Sequence, residues 1–127
     1  MKGFIGDIEK LTLENSFFRQ VIYTGSHAQL VLMSLKPGEE IGLEVHNNVD
    51  QFFRFEKGNG KVIIDEEEFQ VSDGVAVIVP AGSEHNVINT SDEDDLKLYT
   101  IYSPPNHPDK TIHKTKAEAD AAESHDH

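Results

Sequence analysis

Residues 74–89 read GVAVIVPAGSEHNVIN. Val75 to Val79 is an unbroken apolar run rich in β-branched residues, short enough for a buried strand and too short for a core helix. Pro80 ends it, because proline cannot donate to a sheet ladder. Pro80-Ala81-Gly82-Ser83 reads as a turn, and Glu84 to Ile88 resumes as a strand. That turn aims His85 at the mouth of whatever the strands enclose.

The same punctuation continues in both directions. Upstream, Ser72-Asp73-Gly74 is a turn. Lys61 to Ile64 and Glu67 to Val71 form a hairpin around Asp65-Glu66, a tip without the glycine that a tight primed turn prefers, so a longer or strained loop is expected. Lys57-Gly58-Asn59-Gly60 is a further turn. Before it, Ile41 to His46 and Gln51 to Glu56 are two short strands joined by Asn47-Asn48-Val49-Asp50. Gln29 to Leu35 ends at Lys36-Pro37-Gly38, and Phe17 to Tyr23 closes at Thr24-Gly25-Ser26. Downstream, Thr90 to Asp95 is an acidic loop, expected as a solvated tip, and Leu96 to Tyr102 alternates before Pro104-Pro105. About ten short strands fill residues 17 to 102 with no helical period between them. The fold class is all-β, a barrel or sandwich in one domain.

The organisation is then a lead-in over 1–16, a barrel over 17–103 and a tail over 104–127. In the tail, Lys114 to Glu123 fits a short helix, with Thr115 and Glu118 spaced as a capping box, and residues 124–127 should fray. The 127 residues suit one domain. With no cysteine, disulfides, thiolate metal sites and cysteine nucleophiles are excluded. Eleven Lys and Arg against 23 Asp and Glu give a formal charge of −12, which repels phosphate backbones and anionic lipid. Neither nucleic acid nor membrane is an expected partner. The N-terminus lacks the apolar core of a signal peptide, so a cytoplasmic location is expected.

Glu44 and His46 lie two apart in a strand, hence on one face, with Cα atoms roughly 7 Å apart. A carboxylate and an imidazole converging inside a β-barrel are costly unless paired, and a divalent cation is an economical partner. Gln51 begins the return strand and can point back to the same spot. His85 is the fourth candidate. Glutamate and glutamine supply oxygen ligands, and one carboxylate with a divalent cation leaves about +1 on the centre. The mixture suits zinc, manganese, iron, nickel or cobalt and argues against calcium. If Gln51 faces inward, so do Phe53 and Phe55; His85 inward brings Val87, and Tyr99 joins if its strand runs alongside. These four would line a pocket for a small-molecule substrate. Arg19 and Arg54 are candidates to meet an anionic substrate. Arg54 should point away from Gln51, towards a salt bridge or a dimer interface; Arg19 is left open. His27, His107, His113, His125 and His127 are expected in solvent.

Two spacings resemble the cupin superfamily. Gly38, Glu44, His46, Gln51 and Gly58 stand at the positions of its first motif, with Glu44 where a histidine and Gln51 where a glutamate is usual. Gly74, Pro80, Gly82, His85 and Asn89 match every position of its second motif. The resemblance runs to about residue 103. It implies a double-stranded β-helix, the cupin jelly-roll barrel, and a metal held by Glu44, His46, Gln51 and His85. It also implies a homodimer packed through Phe17 to Tyr23. Two histidines, a glutamate and a glutamine are also the ligand types of type I phosphomannose isomerases, which favours zinc and an isomerase-like proton transfer on a small polar metabolite. Glu44, Tyr99 and Tyr102 are the candidate proton-transfer residues. The alternatives are an iron-dependent dioxygenase of a small diketone or thiol, using Glu44, His46 and His85, and a non-catalytic sugar- or metabolite-binding module.

Overall fold

Burial of every second residue organises the strands. Along β9 (Leu96–Ser103) the buried side chains are Leu96, Leu98, Thr100 and Tyr102, and along β4 (Asp50–Lys57) they are Gln51, Phe53 and Phe55. This period of two puts one side of each strand in the interior. The computed structural model describes residues 2–125, and side chains through Ala122. The remaining elements are α1 (Ile8–Glu14), β1 (Arg19–Thr24), β2 (Gln29–Leu35), β3 (Glu44–Val45), β5 (Asn59–Ile64), β6 (Glu67–Ser72), β7 (Ala76–Val79), β8 (Glu84–Asn89), β10 (Ile112–His113) and α2 (Lys116–His125).

Two antiparallel sheets face each other. One runs β10-β1-β2-β9-β4-β7 and the other β3-β8-β5-β6. Phe53, Phe55, Val31, Met33, Leu35, Val62, Val87, Leu96 and Leu98 fill the space between them. This is the all-β jelly roll that the motifs implied. Gly58 shows why its motif position is fixed. It has φ +110, and a Cβ there would lie 2.7 Å from the Asp95 carbonyl oxygen, so any side chain meets both backbone strain and backbone atoms.

Local expectations met mixed outcomes. The Asp65-Glu66 tip is a tight two-residue loop with both residues at positive φ, 47 and 74. Strain there is offset by ties to β8, since Asp65 N–H donates to the Glu84 carbonyl at 2.8 Å and Asp65 Oδ1 accepts from Glu84 N–H at 2.9 Å. The strand expected over Ile41 to His46 shrinks to Glu44–Val45. The lead-in contains α1, capped by Asp7 and lying across β2, β9 and β4. The tail helix has its capping box: Glu118 N–H donates to Thr115 Oγ1 at 3.2 Å, and Thr115 N–H to Glu118 Oε2 at 3.1 Å. Ser124 and His125 are helical; Asp126 and His127, also expected to fray, lie outside the described residues. β10 is an addition. It pairs with Arg19 and Gln20, so β1 has strand neighbours on both sides there, and a dimer through this segment would have to use its outer face.

Candidate metal centre

Two cross-strand pairs build the site. Glu44 on β3 sits opposite His85 on β8, and Gln51 on β4 opposite Tyr102 on β9. Directly opposed residues in antiparallel strands have Cβ atoms roughly 5 Å apart. The first pair belongs to one sheet and the second to the other, so the site closes between the layers. His46 follows the end of β3, and its carbonyl accepts from Gly82 N–H at 2.8 Å, tying its loop to the turn before His85. Gly82 takes φ +90 in that turn, a conformation glycine adopts freely.

The side chains converge. Glu44 Oε2 lies 2.8 Å from His46 Nε2, and His85 Nε2 lies 3.1 Å from Gln51 Oε1. One ligating atom from each of Glu44, His46 and His85 falls within 4.8 Å of the others. Atoms about 2.1 Å from a shared ion stand roughly 3 to 4.2 Å apart, so side-chain shifts of about half an ångström would let the three share one cation.

The hydrogen-bond chain behind Gln51 strengthens that fit. Thr100 Oγ1 donates to the Phe52 carbonyl at 2.8 Å, which leaves its lone pair to accept from Gln51 Nε2 at 3.0 Å. The Gln51 carbonyl oxygen is thereby turned to His85. The other His85 nitrogen, Nδ1, is 3.1 Å from the Ser83 carbonyl and can only donate to it. In the neutral ring Nε2 is then bare, and it faces a second lone-pair atom. A cation between them, proton or metal, relieves that opposition. Orientation of a ligand imidazole by a backbone carbonyl is the usual support of a metal-binding histidine.

Burial pushes the Glu44 carboxyl up, but the His46 hydrogen bond and the charges of His46, Arg19 and His85 outweigh it and hold the group below its ordinary value. Glu44 therefore brings a negative charge to the cluster.

The pocket residues divide. Phe53, Phe55 and Val87 face inward, and the Phe53 ring packs against His85 with centroids 6.2 Å apart. Tyr99 does not join them, as a lining or a catalytic residue. It has the opposite parity to Leu98 and Thr100, and its ring packs on Phe52, 6.1 Å away, on the outer face. Tyr102, the other tyrosine of this strand offered for proton transfer, is the one that faces inward. Its ring lies 5.9 Å from His46, and its hydroxyl is 3.2 Å from His107 Nε2. His107 and His113, expected in solvent, are half-buried. Burial, with the charges of Arg19, His113 and His46, pushes His107 down to about 3 against the opposing pull of Glu44. Arg54 points outward as expected and pairs with Glu56 at 2.6 Å. Arg19 points inward and is buried.

The family profile described as Cupin domain matches residues 31–102, more than half of the chain. The chain belongs to the cupin family. It is 53% identical over 128 residues to the uncharacterized protein YrkC of Bacillus subtilis, covering 96% of this chain and 68% of that protein. It is 44% identical over 108 residues to the uncharacterized protein L612 of Acanthamoeba polyphaga mimivirus, covering 83% and 68%. The crystal structure of BH2720 from Bacillus halodurans superposes with TM-score 0.91 at 45% identity, covering 94% of this chain and 95% of that one. No described helix is long and apolar enough to cross a membrane.

Proposed function

We propose that this cupin holds one divalent transition metal with Glu44, His46, His85 and the Gln51 carbonyl oxygen, and that it is an enzyme acting on a small polar metabolite. The observation that carries this reading is the facing pair of lone-pair atoms, Gln51 Oε1 and His85 Nε2, each fixed from behind by its own hydrogen bond. A bound ion would supply Lewis-acid polarisation of a substrate carbonyl or hydroxyl. Phe53 and Val87 keep the cup apolar below the ligands. Tyr102, hydrogen-bonded to a neutral His107 beside His46, would give or take the proton at a substrate carbon or oxygen. This suits isomerase-like proton transfer beside a carbonyl, with zinc the favoured ion.

A second reading rests on a specific feature. Glu44, His46 and His85 alone make the two-histidine, one-carboxylate set of non-haem iron oxygenases, with Gln51 outside the ligand set. Metal analysis of protein purified without a nickel column tests the centre. Glu44→Ala and His85→Ala should each lower metal content at least severalfold, and unchanged content in both would sink the assignment. Aldose–ketose exchange with zinc or manganese favours the first reading, oxygen uptake with iron the second. Ligand binding that survives chelation would instead make the protein a binding module.

A further inference from the structure

Arg19 is the buried charge that the metal centre leaves without an account. It is 1% exposed, on the inner side of β1, opposite Met33 and in line with Val21. A guanidinium has five N–H donors and keeps its charge at any physiological pH. Here one nitrogen donates to His113 Nδ1 at 3.2 Å, the carbon stands 5.3 Å from the Phe18 ring centre, and the buried Nε–H has no partner among the described residues. Among the described residues Arg19 enters no ion pair. A neutral imidazole and a ring face are poor compensation for a desolvated cation, and a charge buried without a counter-ion is costly.

By strand register Arg19 stands level with Met33 and Leu98, below the Gln51–Tyr102 row but on the same inner side of the sheet. Its charge acts on Glu44 and on His107, so it lies within electrostatic range of the ligand set and of the Tyr102–His107 pair. Glu44 is not its ion-pair partner: no Arg19–Glu44 contact lies within 4 Å, and the Glu44 carboxylate is paired with His46 at 2.8 Å. What is missing is an anion that arrives from outside, and a planar fork with a free donor matches a carboxylate.

Resting on the metal-centre reading above, we propose that Arg19 is a carboxylate-binding subsite of the same cup. The ligand is then a small organic acid that chelates the ion at one end and presents a carboxylate to the guanidinium at the other.

Lactate, malate and 2-hydroxyglutarate test this, because they share a hydroxy-acid end and differ in having no distal carboxylate or one on a shorter or longer arm. Wild type, Arg19→Gln and Arg19→Lys are loaded with manganese, their metal content is measured, and each acid is titrated by calorimetry. One dicarboxylate should bind wild type at least tenfold more tightly than lactate. Arg19→Gln should lose that preference while retaining its manganese. If Arg19→Gln does not fold, Arg19→Lys, which keeps the charge but not the fork, should weaken the preference at least threefold. Equal affinity for all three acids in manganese-loaded wild type, or a preference unchanged by substitution, overturns the subsite alone. A wild type that takes up neither manganese nor zinc overturns the metal centre, and the subsite with it.

Discussion

The two ends of the cup are made by the same strands and obey opposite economies. Going down β4, the inward residues are Gln51, Phe53 and Phe55; going down β9 they are Tyr102, Thr100, Leu98 and Leu96. At one end the interior holds an amide, two imidazoles, a carboxylate and a phenol. At the other, hydrocarbon dominates, with Phe55, Val62, Leu96 and Leu98 at 0% exposure, and the buried polar groups stand at its margins: Asn89, donating to the Leu35 carbonyl at 3.0 Å, and Arg19, level with Met33. Burial of apolar area makes the lower end the source of stability. The upper end consumes stability unless a cation joins its lone pairs. One alternating pattern thus supplies a rigid base and a strained rim, and the rim is where chemistry is possible.

The largest effect should come from breaking the base. Phe55→Ala removes a fully buried ring stacked 6.3 Å from Phe53. It should cost about 3–5 kcal/mol in urea unfolding, with or without metal present. His85→Ala should behave differently: small in metal-free protein, and large only where metal stabilises the wild type. Equal costs for the two substitutions under chelation would erase the distinction between the ends.

The sequence carried the base and the convergence of the four polar residues well, and for a physical reason. Turns mark strand ends, and period two then assigns faces, so Glu44, His46, Gln51 and His85 could be placed together from spacing. The same rule could have corrected Tyr99, because Leu96 and Leu98 already mark the inward parity, and it runs to Thr100 and Tyr102. No comparable signal exists for His107, His113 and Arg19. They meet because the chain beyond Ser103 returns to pair β10 with β1, a long-range contact that neither periodicity nor turn chemistry encodes. Nor does local pattern reveal α1, whose short amphipathic stretch looks like any polar lead-in until the outer face of a sheet is there to receive it.

A middle-sized effect probes the rim through pH. His107 is held near 3 in the folded protein, against an ordinary value of 6.5. The unfolded chain therefore binds this proton first. The stability that depends on neutral His107 is fully present above pH 6.5 and is lost as pH falls towards 3. Between pH 7 and pH 5, metal-free wild type should lose about 1–2 kcal/mol more than His107→Gln. Parallel pH profiles for the two would mean that His107 is solvated, and the rim less dry than its packing indicates.

The smallest effect separates the two faces of one strand. Tyr99 packs on Phe52 outside the cup, while Tyr102, three residues on, meets His46 and His107 inside. Removing the Tyr99 hydroxyl leaves its ring on Phe52, so Tyr99→Phe should change unfolding free energy by less than about 0.5 kcal/mol and leave metal content untouched. Tyr102→Phe keeps the ring edge on His46 but deletes the hydroxyl that His107 holds. In the proton-transfer reading it should lower turnover at least tenfold without loss of metal. Turnover that falls with Tyr99→Phe and not with Tyr102→Phe would put the reacting groups on the wrong side of β9, and the cup would no longer be the place where the chemistry happens.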